Sequence, residues 1–202
     1  VLHARSNAEM APGAALSAGP RYDSQGRSQR RGVPGGRGRP EVGLDLDALV
    51  LVEYTPAHRE TLHGSALAEQ LPYKLDGEYG RSSGIAVWSR LPITRSEFLP
   101  LVNRSAEVVI ETAAGPVRII GVHPPTPIDD HSNWVRDLRF LADLADDRGE
   151  PLVMLGDFNA TYWHPPFREI LDAGLTSAHN AHGRGLSNSW PTGGIIPAFV
   201  RL

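Results

Sequence analysis

The chain has 202 residues, of which 41% are hydrophobic and 21% charged, and it contains no cysteine. This length and composition predict one soluble globular domain with a substantial core. The lack of cysteine excludes disulfides and thiolate metal sites, so a metal would need carboxylate, amide or imidazole ligands, which favours hard cations.

Residues 1–40 form a basic leader rich in arginine, glycine and proline. Its seven arginines against Glu9 and Asp23 give a net charge of +5, whereas the other 162 residues carry −8. No strand or helix period is present, so the leader is expected to be disordered, with a nucleic-acid-binding or lipid-binding arm or a gene-prediction artefact as alternatives. No signal peptide or transmembrane stretch is recognised in the sequence. Residues 41–202 are expected to form the folded domain.

Short apolar runs and helical patterns follow the leader. Residues 48–52 are typical of a buried central strand, and Thr55 followed by Pro56 predicts the start of a helix over 57–71. Further strands rich in valine and isoleucine are predicted over 84–88, 107–112, 116–122 and 151–155. The turn over 113–116 makes the two middle strands of this group an antiparallel hairpin.

Two more helices complete the predicted elements. One covers 133–147 and is capped by Ser132, and a shorter one covers 165–173 and is ended by Gly174. Because hairpins and helices are mixed rather than strictly alternating, the sequence predicts an α+β sandwich with a sheet core and helices outside it.

Residues 151–159 lead a predicted buried strand into a glycine and two short polar side chains. Because alternate residues of an extended segment point to the same side, Asp157 and Asn159 are expected to converge while Phe158 packs inward. A carboxylate can deprotonate a water, and an amide can hold a phosphate oxygen without adding charge. The alternative is an Asx turn, in which both side chains bond their own backbone.

The sequence Gly-Asp-Phe-Asn-Ala-Thr at 156–161 resembles the signature of the endonuclease/exonuclease/phosphatase superfamily. The strand that ends in Glu53 resembles the one bearing the family's metal-binding glutamate, and the strand that ends in His123 resembles the one whose histidine contacts the scissile phosphate. Segments 84–93 and 189–191 resemble structural parts of the family. The resemblance implies a DNase I-like four-layer α/β sandwich of two mixed sheets packed face to face, with helices outside.

The resemblance also implies a metal-dependent hydrolysis of phosphate esters. Asp157 would orient the attacking water, Asn159 and His123 would contact the phosphate, and Glu53 would bind one or two Mg²⁺ or Mn²⁺ ions. From the residues alone, a carboxylate at the end of a central strand can hold a divalent cation, although it can also be merely solvated. The histidine can equally be a surface residue. Arg136 could reach a phosphate, with an exposed helix salt bridge as the alternative.

Both ends of the chain depart from the family pattern. The family opens with a strand that bears an asparagine, for which Asn7 is the candidate here, as the only asparagine before Asn103. It closes with strands that bear Asp-His and Ser-Asp-His segments, and the chain reaches Leu202 without a Ser-Asp-His. We therefore expect a chain that is incomplete at both ends and lacks edge strands. A catalytically inactive member or binding module is the alternative to an enzyme.

The substrate class stays open among nucleic acid, lipid headgroup and small phosphodiester. The acidic body argues against a sequence-independent grip on duplex DNA. The sequences of these motifs resemble those of bacterial members that carry this domain outside the membrane. An extracytoplasmic monomer is therefore expected. An α/β-hydrolase esterase is excluded for want of a Gly-x-Ser-x-Gly segment.

Overall fold

The computed structural model describes residues 2–4, 46–80, 83–147 and 149–181. The strands are β1 (Leu2–Ala4), β2 (Ala48–Val52), β3 (Tyr73–Gly77), β4 (Ile85–Ser89), β5 (Ile93–Leu99), β6 (Ser105–Thr112), β7 (Gly115–Val122), β8 (Leu152–Gly156) and β9 (Leu175–Ser177). The helices are α1 (Pro56–His63), α2 (Ala66–Gln70), α3 (His131–Asp146), α4 (Pro165–Asp172) and α5 (Ala178–Ala181). In the part of the chain so described, no helix is long and apolar enough to cross a membrane.

These strands form two sheets. The larger has the order β5-β6-β7-β8-β1-β9 and is mixed, because β7 and β8 run parallel while its other neighbouring strands are antiparallel. The smaller has the order β2-β4-β3 and is antiparallel throughout. The predicted pair of mixed sheets is therefore one mixed and one antiparallel sheet.

Three apolar clusters separate four layers of structure. The central cluster joins the facing sides of the two sheets, with Val87 of β4 packed among residues of β6, β7 and β8. A second cluster places α3 and α4 on the outer face of the larger sheet. A third places α1 and α2 on the outer face of the smaller sheet, around Trp88. The order helix, sheet, sheet, helix confirms the predicted DNase I-like α+β sandwich.

Strand alternation produces this layering. In β4, Ile85 and Val87 face the other sheet, whereas Ala86 and Trp88 face α1 and α2, and all four are fully buried. Gly121 of β7 faces the smaller sheet at short range, since a Cβ there would be 3.0 Å from Cδ1 of Ile85 and 3.1 Å from a methyl carbon of Val50. The missing side chain lets β2 pack directly over β7.

Local details differ from the sequence predictions at the helix ends. The single helix predicted over 57–71 is divided at Gly64 into α1 and α2. The helix predicted to start after Ser132 begins at His131, and its cap is Asp130, whose side chain accepts the Asn133 N–H at 3.2 Å. An aspartate caps as well as a serine, and Asp130 lies three residues before the amide that its side chain accepts.

Several strands were not predicted. Strands β3, β5 and β9 lack an apolar period, and β5 has five exposed residues in a row. Strand β1 lies inside the basic leader, and its backbone pairs antiparallel with β8 and β9. Three residues are too few to show a period, so leader composition could not predict this pairing.

Candidate active site

The turn after β8 depends on Gly156. Its φ of +139° is open to glycine and strained for other residues, and a Cβ on it would lie 2.1 Å from the carbonyl oxygen of Val122. This close approach lets the Asp157 N–H donate to the same oxygen at 3.1 Å. The end of β8 is thereby joined to the end of β7, and Asp157 is held beside the loop that begins at His123.

Asn159 ties the same turn to that loop from its other side. Its backbone N–H donates to Oδ1 of Asp157 at 2.8 Å, which is an Asx turn. Its side chain does not bond its own backbone, because Nδ2 donates to the carbonyl oxygen of Pro124 at 3.0 Å. Its φ of +47° is a conformation that asparagine tolerates better than most residues. Asp157 therefore forms the Asx turn that was the alternative prediction. The Asn159 side chain does not, and it bonds to the loop that begins at His123.

Phe158 faces away from this turn, as the alternation predicted. Its side chain is 3% exposed and lies edge-on to Phe167 of α4, with ring centroids 5.3 Å apart. The indole N–H of Trp134, which lies on α3, donates to the Phe158 carbonyl oxygen at 3.3 Å. The core therefore supports the turn from behind.

His123 directly follows β7 and is 5% exposed. Its backbone N–H donates to Oγ of the fully buried Ser105 at 3.4 Å. Within the described part of the chain, its ring Nδ1 is buried without a hydrogen-bond partner. Because an unpaired buried nitrogen is costly, this atom is a candidate for binding a group outside those residues, such as a water or a phosphate oxygen.

Glu53 directly follows β2 and has an exposed side chain. Its φ of +56° is left-handed, which costs a residue with a Cβ about 1 to 3 kcal/mol and is common at binding sites. The next turn is fixed by a capping box, in which Thr55 and His58 bond each other's backbone. The ring Nδ1 of His58 also lies 3.0 Å from the Glu53 carbonyl oxygen.

Three hydrogen bonds bring the ends of β2 and β7 to one edge of the sandwich. They link the residue after Glu53 to the start of β4, the segment before β4 to the segment before β6, and the start of β6 to His123. The bonds are Tyr54 N–H to Gly84 O at 2.9 Å, Arg104 N–H to Ser83 O at 3.0 Å, and His123 N–H to Ser105 Oγ at 3.4 Å. Since Asp157 is bonded to the end of β7, four of the six predicted site residues lie along this edge. They are Glu53, His123, Asp157 and Asn159, and we name the edge the catalytic edge for the role predicted for them.

The guanidinium of Arg136 is engaged elsewhere. Its Nε and Nη2 donate to Oδ1 of the fully buried Asp137 at 3.2 and 2.8 Å. The other oxygen of that carboxylate accepts the Val102 N–H at 3.0 Å. Arg136 thus forms a salt bridge, but with the buried carboxylate of the next residue and not with an exposed partner one helical turn away, as the alternative expected. Asn7 and segment 189–191 lie outside the residues that the structure describes.

Along this edge, the exposed carboxylate of Glu53 is the donor best suited to a hard cation. Among residues 46–80, 83–147 and 149–181, no three acidic or histidine side chains cluster closely enough to hold a metal. Mg²⁺, however, is commonly held by one or two carboxylates, with water and substrate phosphates completing its shell. The exposed carboxylate of Glu53 fits that arrangement, and the chain offers no all-protein cage in its described part.

Sequence reasoning missed the role of His164. Its ring Nδ1 accepts the Thr161 N–H at 2.8 Å, which fixes the end of the signature segment. Burial, and secondly the charge of His131, lower the pKa of His164, so the neutral acceptor form is favoured. The cue in the sequence was that His164 follows Thr161 by three residues, a spacing that also occurs in many unrelated loops.

Comparison with known proteins agrees with this architecture. The sequence model of the Endonuclease/Exonuclease/phosphatase family matches residues 24–201. No curated protein matches the chain.

Solved structures match the fold at low sequence identity. Sphingomyelinase C from Streptomyces griseocarneus is 19% identical, with a TM-score of 0.51 over 64% of this chain and 57% of that one. A mutant beta toxin from Staphylococcus aureus with bound magnesium ions is 17% identical, with a TM-score of 0.52 over the same shares. A TDP2 from D. rerio, humanized by 14 mutations, is 15% identical, with a TM-score of 0.52 over 66% and 55%. The chain spans little more than half of each of these structures.

Proposed function

This chain belongs to the endonuclease/exonuclease/phosphatase family, and we propose that it hydrolyses phosphate esters at the catalytic edge with a divalent metal ion. The family and its solved relatives indicate a metal-dependent phosphodiester hydrolase at the level of the superfamily. One observation carries the proposal for this chain. The turn 156–159 is bonded twice to the loop of His123, through Val122 and through Pro124, so acid, amide and imidazole side chains share one small region.

In the proposed reaction, the Asp157 carboxylate orients a water and takes its proton as the water oxygen attacks phosphorus. The ester P–O bond breaks, the leaving oxygen takes up a proton from solvent water, and Asp157 returns its own proton to solvent. The Asn159 amide has two N–H groups, of which one is bonded to Pro124, so the second can donate to a phosphoryl oxygen. The His123 imidazole stabilises the charge that develops on the phosphoryl group.

Glu53 would hold the cation, Mg²⁺ or Mn²⁺, at the rim of this region. When bound, such an ion supplies Lewis-acid polarisation of a phosphoryl oxygen. The magnesium ions bound in the Staphylococcus aureus beta toxin structure support the choice of a hard ion. The strained backbone of Glu53 supports a functional role, because the residue keeps a left-handed conformation that glycine would adopt at less cost.

The test is hydrolysis of three substrates, each with Mg²⁺ and with EDTA: bis-p-nitrophenyl phosphate, plasmid DNA and sphingomyelin. We expect metal-dependent turnover of at least one, and its loss in Asp157→Ala. The exposed Asp172→Ala on α4 is the matched control. Unchanged turnover in Asp157→Ala would remove the assignment. No turnover by the wild type would favour the inactive binding module.

Location and assembly are further proposals. The likeness to a toxin supports an extracytoplasmic role, and residues 41–202 are proposed as the catalytic domain of a monomer. Cell fractionation and light scattering test these two points directly.

A further inference from the structure

A cavity of about 350 Å³ opens beside the catalytic edge. Its walls combine two aromatic rings, a cation, a hydroxyl group and aliphatic side chains. The lining residues are Tyr79, Ser83, Phe98, Leu99, Leu101, Val102 and Arg104. We name this cavity the aryl pocket. Its volume lies at the lower end of the range for small-molecule sites, so it suits one ring system and its substituents.

The Arg104 guanidinium lies against both aromatic rings of the aryl pocket. Its central carbon is 5.4 Å from the ring centroid of Tyr79 and 5.2 Å from that of Phe98. Tyr79 is 54% exposed and Phe98 is 38% exposed, which is unusual for large aromatic side chains. The three side chains therefore form an exposed stacking surface that carries one positive charge.

This surface is held in place by the backbone. A Cβ on Gly77 would lie 2.4 Å from a ring carbon of Phe98, so the ring lies directly on β3 where a side chain is missing. The Tyr79 N–H donates to the Tyr54 carbonyl oxygen at 3.1 Å. The Phe98 ring is thus placed by strands β3 and β5, and Tyr79, in the loop after β3, is anchored through its backbone to Tyr54.

The aryl pocket lies next to the candidate catalytic residues, because short links connect its walls to Glu53 and to His123. Tyr79 is bonded to Tyr54, which follows Glu53, and Arg104 precedes Ser105, whose hydroxyl is bonded to His123. A substituent on a phosphate held at the catalytic edge would therefore reach the rings. This placement makes the pocket a specificity site for the same reaction.

We propose that the aryl pocket binds the nucleoside portion of a nucleotide-type phosphodiester, with the base stacked on the exposed ring of Tyr79 and a phosphate oxygen paired with Arg104. This proposal deepens the proposed function, on which it rests. Aromatic rings and arginine planes are the surfaces on which single bases stack. Arginine also pairs well with phosphate oxygens.

The charge of Arg104 decides against a choline headgroup. A quaternary ammonium group in this pocket would be repelled by the guanidinium, which lies against both rings, whereas a neutral base would not. Duplex DNA is disfavoured by the small volume and by the acidic body of the chain. The expected substrate is thus a mononucleotide ester or a single-stranded end.

The experiment compares three diesters that release the same p-nitrophenolate: the p-nitrophenyl esters of thymidylate and of phosphocholine, and bis-p-nitrophenyl phosphate. In the wild type, we expect kcat/KM for the thymidylate ester to exceed that for the phosphocholine ester at least tenfold. Tyr79→Leu should lower the thymidylate value roughly tenfold, the typical loss of one stacked base. Arg104→Gln should lower the ratio of kcat/KM for the thymidylate ester to kcat/KM for the phosphocholine ester. Arg139→Gln on exposed α3 is the control and should change neither.

Binding of thymidylate and of phosphocholine, measured by calorimetry on the same variants, separates this inference from the hydrolase proposal. Selective thymidylate binding that Tyr79→Leu weakens supports the pocket even if no ester is cleaved, in which case only the hydrolase proposal fails. Hydrolysis without selectivity, a preference for phosphocholine, or ratios that neither variant changes would overturn the pocket assignment and leave the hydrolase proposal standing.

Discussion

Replacing Gly156 by alanine tests how the candidate site is built. The added Cβ meets two obstacles, because φ is +139° and the carbonyl oxygen of Val122 would lie 2.1 Å away. Gly174 offers a matched control. Its φ is +107°, but no atom lies within 4 Å of the position that its Cβ would take. The two substitutions share backbone strain and differ in the steric conflict.

The expected magnitudes follow from that difference. A residue with a Cβ in such a conformation costs about 1 to 3 kcal/mol, which both variants carry. Relief of the overlap with Val122 requires a backbone shift of about 1 to 3 kcal/mol. It also breaks the bond from Asp157 to Val122, which contributes about 1 kcal/mol. Gly156→Ala should therefore be less stable than Gly174→Ala by about 2 to 4 kcal/mol.

Urea unfolding measures this excess directly. With a slope of about 1 to 3 kcal/mol per molar urea, the midpoint of Gly156→Ala should lie roughly 1 M or more below that of Gly174→Ala. Activity should also fall in Gly156→Ala alone, since Asp157 loses its fixed place. Equal midpoints for the two variants would refute the close approach of β8 to β7 as described.

Three other predictions concern the site itself. Asn159→Gly keeps the left-handed backbone and removes the amide, so kcat should fall about 100-fold. Loss of the hydrogen bond to Pro124 should cost about 1 kcal/mol of stability, offset in part by the easier left-handed backbone of glycine. Glu53→Gln should raise the Mg²⁺ concentration needed for half-maximal activity, whereas Glu60→Gln on exposed α1 should not. The pKa of His164 is lowered below its ordinary 6.5, so the unfolding free energy should decrease as pH drops below 6.5 and level off beneath the folded pKa. His164→Gln, measured over the same pH range, should remove that slope; an unchanged slope would contradict the burial of this imidazole.

Strands with an apolar period were predictable, and those without one were not. The run 48–52 became β2 with the same bounds, and the hairpin of β6 and β7 followed from its turn. In contrast, β5 is an edge strand whose exposed residues need no apolar face. Strand β1 is recognised by its backbone pairing with β8 and β9, which composition does not encode.

The candidate site shows the same division. Local spacing predicted that Phe158 would pack inward and that Asp157 and Asn159 would lie in one turn. It could not show that Asn159 bonds Pro124, which is 35 residues away. The pairing of Arg136 with the buried Asp137 likewise depends on how α3 packs, which the sequence left open. The aryl pocket forms where two separate segments meet, one with Tyr79 and Ser83 and the other with Phe98 to Arg104, so no local sequence pattern predicts it.

The most direct test of the central claim is the kcat/KM for bis-p-nitrophenyl phosphate with Mg²⁺ in Asp157→Asn. Asparagine keeps the size of the side chain and can still accept the Asn159 N–H, but it cannot take a proton from water. The predicted result is a loss of about 100- to 10,000-fold relative to the wild type, with Asp143→Asn on exposed α3 unchanged. Turnover in Asp157→Asn equal to that of Asp143→Asn would contradict a catalytic role for this turn.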